Sequence, residues 1–227
     1  MKFFNLLKKR GKPVIVFVPG VNWSSKGAFE KLSEELDGFD FVFHDTGSWF
    51  EKDFISLQDS AKKLSDAVNG LKNKSVVLIG WSYGALVINR ALKNINKDVK
   101  RIFFINSVFD YKSIVSKKDY LNSLLKLDET SKFVIGLKNF VTFERGKVLV
   151  KKNIVRHFKE YFDNDDVLNI VSNKVVFITS SNDLQVPVSL VRKASMKHGG
   201  KFYTLPGNHF SLLEHPVELS LIIKKEI

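Results

Sequence analysis

The feature that most restricts this chain is a series of short apolar runs, each separated from the next by polar or helically spaced residues. The runs PVIVFV (13–18), DFVF (40–43), SVVLI (75–79), RIFFI (101–105), KVVFI (174–178) and KFYTL (201–205) are rich in Val, Ile and Phe and mostly unbroken by polar residues. A strand with one wet face alternates, whereas a strand covered on both faces does not, so these runs read as strands of a mostly parallel sheet. Between them, Phe29/Leu32/Leu36 and Leu57/Ala61/Leu64/Val68/Leu71 keep a helical period. Pro187 and Pro216 open two further segments at the place where a helix's first turn tolerates proline. Strand alternating with helix predicts right-handed crossovers and a doubly wound α/β fold.

Size and composition narrow this further. With 227 residues, 44% of them hydrophobic, the chain can bury one full core, so residues 1–227 are expected to form a single domain. One interval breaks the rhythm: about 60 residues, 111–170, separate two strands that a crossover of ordinary length would join. An insertion after the 101–105 run emerges at the carboxyl edge of the sheet, where open α/β sheets bind ligands. It is expected to be a lid or cap, the alternative being a helical excursion packed elsewhere. The opening MKFFNLLKKR is too short in apolar residues for a signal segment, and no run approaches the roughly 18 to 20 residues that cross a bilayer. A soluble, cytoplasmic protein without a membrane span is the expectation.

The absence of cysteine excludes disulfides, thiolate metal sites and a cysteine nucleophile. The net charge of +12 is spread along the chain without a basic block or a nucleic-acid module, so no nucleic-acid partner is expected. A positive surface still suits an anionic substrate or an acidic partner.

Chemistry enters at LIGWSYG, residues 78–84, a serine between two glycines directly after a strand and before a helical pattern. In that context Gly-x-Ser-x-Gly makes a nucleophile elbow: a sharp turn that needs glycine at 80 and 84 and holds the Ser82 hydroxyl above the sheet at a helix N-terminus. A serine needs a base, and the base needs an acid to orient it. Asp183 lies in the polar loop of KVVFITSSNDLQVP, and His209 in the turn of KFYTLPGNHF, each just past a later strand. Asp110 is a rival acid, ending RIFFINSVFD; His215, ahead of Pro216, is a rival base that better starts the last helix. His44, His157 and His198 read as structural or surface residues, and no two histidines share a metal-ligand spacing with a carboxylate, so no metal is expected.

An oxyanion hole needs two backbone N–H groups. Tyr83, after the serine, is one candidate; Val21, after the glycine of VIVFVPGVNW, is the other. Trp23, Trp81 and Tyr83 either wall a substrate pocket or belong to the core.

Over residues 13–226 the chain resembles the α/β-hydrolases. The likeness rests on FVPG at 17–20, HDTGS at 44–48, GWSYG at 80–84, SNDLQVP at 181–187 and GNH at 207–209. The resemblance implies acyl transfer by a Ser82, His209 and Asp183 triad, without a cofactor. Two departures stand out: Pro19 occupies a position where many members have histidine, and only 12 residues precede the first parallel strand, leaving room at 2–7 for one edge strand at most. The Gly-Trp-Ser-x-Gly elbow, small size and short insertion also resemble the carboxylesterases that cleave the methyl ester of pimeloyl-acyl carrier protein in biotin synthesis. That likeness implies an acyl-carrier-linked ester and an acidic acyl carrier protein as partner, although the insertion is not notably more basic than the rest of the chain. A general small-molecule esterase, a thioesterase or an aminopeptidase of the same fold would use the same residues, and a silent member would be a non-catalytic binding module.

Overall fold

The computed structural model describes residues 12–21, 23–47, 55–107 and 172–227. The lid expected at 111–170, the edge strand considered at 2–7, and the rivals Asp110 and His157 lie outside the described residues.

Six strands form one sheet, β1 (Val14–Val18), β2 (Asp40–Phe43), β3 (Ser75–Trp81), β4 (Asp98–Ile105), β5 (Val175–Ser180) and β6 (Lys201–Leu205). Their order across the sheet is β2-β1-β3-β4-β5-β6, and every neighbouring pair is parallel. The chain leaves β1 toward β2 and returns on its other side as β3, so the order reverses between β1 and β3. In an open parallel sheet this places a crevice at their carboxyl ends.

Two apolar layers cover the sheet, as the unbroken runs require. On one face Val14, Val16, Val18 and Leu78 meet α2 (Leu57–Asn69), α3 (Tyr83–Ala91) and α4 (Val188–His198). On the other, Ile15, Phe17 and Ile79 meet α1 (Ser25–Glu35), the short α5 (Ser211–Glu214) and α6 (Pro216–Glu226). Phe17 anchors this second layer, stacking on Phe29 at 4.7 Å and on Phe43 at 5.4 Å. Burying a phenylalanine of this kind stabilises by about 2 to 3 kcal/mol before strain is counted.

Local signals explain the helix boundaries. Ser24 and Ser56 cap α1 and α2 by accepting the N–H of Gly27 and Asp59. Pro216 stands in the first turn of α6, and Gly199 ends α4 with φ 64°, a left-handed turn that glycine takes without strain. Three strands outrun their apolar stretches. β4 begins at Asp98 because Asp98 and Val99 pair with Ser75 and Val76, and a shift of register follows between Val76 and Val77. β3 continues through Gly80 and Trp81, and β5 through Thr179 and Ser180, paired with β6. Hydropathy alone misses such ends, since ladder bonds hold them where the side chains are polar or absent. Among the described residues, no helix is long and apolar enough to cross a membrane.

Candidate active site

The site is built from the turns that follow β1, β3, β4, β5 and β6. β3 ends on Trp81, and α3 starts at Tyr83, so the reversal falls on Ser82 alone, at φ 51° and ψ −121°. A left-handed conformation costs a β-substituted residue roughly 1 to 3 kcal/mol and persists only where the surroundings enforce it. They do so through the main chain. The Ser82 N–H donates to Ile105 O at 3.0 Å, and its carbonyl accepts the Ala85 N–H at 3.1 Å and the Ser107 hydroxyl at 2.7 Å. The serine side chain makes no cap bond to the helix it precedes.

The flanking glycines are required by contact. A Cβ on Gly80 would meet the Ala85 nitrogen and Ile88 Cδ1 at 2.8 Å. A Cβ on Gly84 would fall on the Val18 carbonyl and 2.7 Å from the Pro19 oxygen. The first turn of α3 thus presses directly on the loop after β1. Within that loop, the Gly20 carbonyl accepts the Trp23 N–H and the Thr46 hydroxyl, each at 3.4 Å. A trans peptide points its C=O and N–H in opposite directions, so the Val21 N–H faces away from Thr46. The space where a Gly20 Cβ would stand is 3.3 Å from Ser82 Cβ, which brings this loop against the serine. Tyr83 opens the first turn of α3, while its ring is buried in the layer shared with α2 and α3.

Asp183 and His209 meet. His209 Nδ1 lies 2.8 Å from Asp183 Oδ2, and both side chains are almost wholly buried. Asp183 Oδ1 accepts the N–H groups of Gln185 and Val186, each at 2.8 Å, so the loop after β5 folds around its own carboxylate. Backbone bonds then join that loop to the turn after β6, from Ser181 N–H to Leu205 O and from Asn182 N–H to Gly207 O, both at 2.9 Å. Gly207, at φ 94°, lets the turn double back and deliver His209. A carboxylate only accepts, so in the neutral imidazole facing it the proton belongs on Nδ1 and the lone pair on Nε2.

The two tryptophans differ. Trp81 is 1% exposed; its ring lies 5.6 Å from the His209 ring, and its indole N–H donates to the His209 carbonyl at 3.0 Å. Trp23 is half-buried and stands edge-on to Trp81 at 5.5 Å and beside Phe210 at 5.9 Å. Phe210 completes this aromatic group against His209, 5.8 Å away and nearly perpendicular.

The other described histidines, His44, His198 and His215, lie on or next to other elements. His215 caps α6 and lies 3.4 Å from Glu218, and His198 stands in the last turn of α4. His44 follows β2; burial holds its pKa below the ordinary value, against the opposing charge of Asp45 and a bond to the Ser60 backbone. Among the described residues, no group of three His, Asp or Glu could hold a metal ion. Sequence reasoning missed Asn106, Ser107, Ser180 and Ser211, all buried beneath the two turns. The one available signal was an asparagine ending an apolar strand, since asparagine tolerates left-handed backbone better than most residues.

No protein-family model matches the chain, and no curated protein matches it. Solved structures do. An esterase from Thermogutta terrifontis superposes with a TM-score of 0.65 at 13% identity, over 94% of this chain and 89% of that one. MGS-M2, an α/β-hydrolase enzyme from a Medee basin deep-sea metagenome library, superposes with a TM-score of 0.65 at 17% identity, over 96% and 90%. The type II thioesterase BorB from the borrelidin biosynthetic cluster gives 0.60 at 18% identity, over 96% and 93%. At such identities the likeness concerns architecture, a mostly parallel six-stranded sheet with flanking helices. The chain has the α/β-hydrolase fold.

Proposed function

We propose that this protein is a serine hydrolase that cleaves a carboxylic ester through an acyl-enzyme, with Ser82 as nucleophile, His209 as base and Asp183 as the acid that orients it. The observation that carries this reading is the buried His209–Asp183 pair at 2.8 Å, at the same sheet edge as a serine held in a left-handed turn. His209 Nε2 takes the Ser82 proton as Oγ attacks the substrate carbonyl carbon, and Asp183 steadies the imidazolium. The amides of Tyr83 and Val21 receive the charge that develops on the carbonyl oxygen. Collapse breaks the ester C–O bond and expels the alkoxide, which takes that proton from His209; water then attacks the acyl-enzyme, passing a proton through His209 to Ser82 as the acid leaves. Trp23 and Phe210 supply the apolar wall beside the acyl group.

The finer reading is a methyl ester on an acyl carrier protein, supported by the form of the elbow and by the net charge of +12, which suits an acidic carrier. The esterase and thioesterase among the structural neighbours make a thioester the nearest competing substrate.

The test is labelling with a fluorophosphonate probe, wild type beside Ser82→Ala, with the adduct mapped by mass. Stoichiometric modification of Ser82, lost in the variant, is expected. Folded wild type that takes no label with the probe in excess, and hydrolyses neither p-nitrophenyl acetate nor an acyl thioester, would overturn the reading in favour of a binding protein.

A further inference from the structure

We infer that Asn106 and Ser107, the two residues that follow β4, form a positioning clamp that fixes the His209 turn against the Ser82 turn. Asn106 is fully buried and is, with Ser82, one of two non-glycine residues at positive φ among the described residues, at 47°. Its side-chain amide donates toward the His209 carbonyl at 3.0 Å, the Asn208 carbonyl at 3.3 Å and Ser211 Oγ at 3.2 Å. Its oxygen accepts the Ser180 hydroxyl at 2.9 Å, and its main-chain N–H donates to Ile178 O at 2.8 Å. Ser107 points the other way, donating to the Ser82 carbonyl at 2.7 Å, while Ile105 O receives the Ser82 N–H at 3.0 Å. Three consecutive residues therefore grip both turns.

Packing alone does not call for this arrangement. A buried amide is costly unless every donor and acceptor is met, and an apolar side chain would fill the same space without that demand. The amide's partners are the backbone of the histidine turn and two hydroxyls, Ser180 and Ser211, that are themselves completely buried. Neither Asn106 nor Ser107 is assigned contact with substrate; they act through His209 and Ser82, and the inference rests on the roles proposed for those two.

Two variants test it. Asn106→Gly keeps the left-handed backbone and removes the amide; Ser107→Ala removes one hydroxyl. With p-nitrophenyl acetate, Asn106→Gly is expected to lower kcat about 100-fold and Ser107→Ala about 10-fold, with KM within about twofold of wild type. In proteins labelled with 15N-histidine, the His209 Nδ1–H resonance should shift or broaden in Asn106→Gly. A purely structural role would lower the thermal midpoint and leave both kcat below that midpoint and the resonance unchanged. Wild-type kcat in either folded variant overturns the clamp. Should Asn106→Gly not fold, Ser107→Ala decides by the same criterion. Should wild type prove inactive, the hydrolase reading alone fails, and an unchanged His209 resonance in Asn106→Gly would then overturn the clamp separately.

Discussion

Among the described residues two carboxylates are buried, at opposite edges of the sheet, and they are held in different ways. Glu226, the last residue of α6, is 3% exposed at the amino edge; it accepts Lys201 Nζ at 2.7 Å and the Tyr203 hydroxyl at 2.6 Å. Its main-chain oxygen accepts Arg101 Nε at 2.6 Å. Burial alone would raise the pKa of Glu226, but the bonds from Lys201 and Tyr203 and the charges of Lys201 and Arg101 outweigh it and bring it below the ordinary value. Asp183, at the carboxyl edge, has two backbone amides and one imidazole. Fixed cations make a staple. Backbone amides and an imidazole hold the other carboxylate, with no permanent cation beside it among the described residues.

The sharpest way to break this contrast is to neutralise each carboxylate in turn. Asp183→Asn should cut the rate of fluorophosphonate labelling by about 100-fold to 10,000-fold while leaving the fold intact, because an amide can turn its N–H to Nδ1 and impose the wrong tautomer. Labelling at the wild-type rate would reduce Asp183 to a packing residue. Glu226→Gln should do the reverse, leaving labelling untouched and lowering stability by about 2 kcal/mol in denaturant titrations, through the loss of charge-assisted bonds. The pH dependence follows from the sign of its shift. A carboxylate whose folded pKa lies below the unfolded one stabilises above the ordinary value of 4.5, and that contribution is lost as pH falls through the folded value. The stability gap between wild type and Glu226→Gln should therefore be full at pH 6 and narrow in acid; a gap constant down to pH 3 would remove the electrostatic account. The smallest effect concerns Thr179, fully buried on β5 near the carboxyl edge, whose hydroxyl has no partner among the described residues. Thr179→Val should raise stability by about 1 kcal/mol in the same titration, since it removes an unmet polar group at nearly constant volume. A loss instead would show that the hydroxyl is satisfied.

The doubly wound architecture was legible because each buried strand carries its own evidence, an apolar run that needs no knowledge of the rest of the chain. The contact between Asp183 and His209 was legible for a related reason: each stands in a polar turn just beyond such a run, and Gly207 marks the backbone reversal locally. Asn106 was not. Its meaning lies in His209, 103 positions away, and in Ser180, 74 away, and nothing in INSV separates a clamp from an ordinary strand-end asparagine. Trp81 was equally opaque, since sequence cannot show that its indole N–H is committed to a carbonyl 128 residues distant. The starts of β4 and ends of β3 and β5 escaped notice because ladder bonds, which have no residue signature, extend them.

Those separations also govern when the site comes into being. The elbow is a local structure, complete once β3, β4 and the loop after β1 have assembled, whereas His209 arrives only with β6, the last strand in chain order and one edge of the described sheet. Contacts that close long loops form late in folding. A chain still emerging from the ribosome would thus present its serine turn before the Asp183–His209 pair exists, and the constellation would be complete only when β6 had docked.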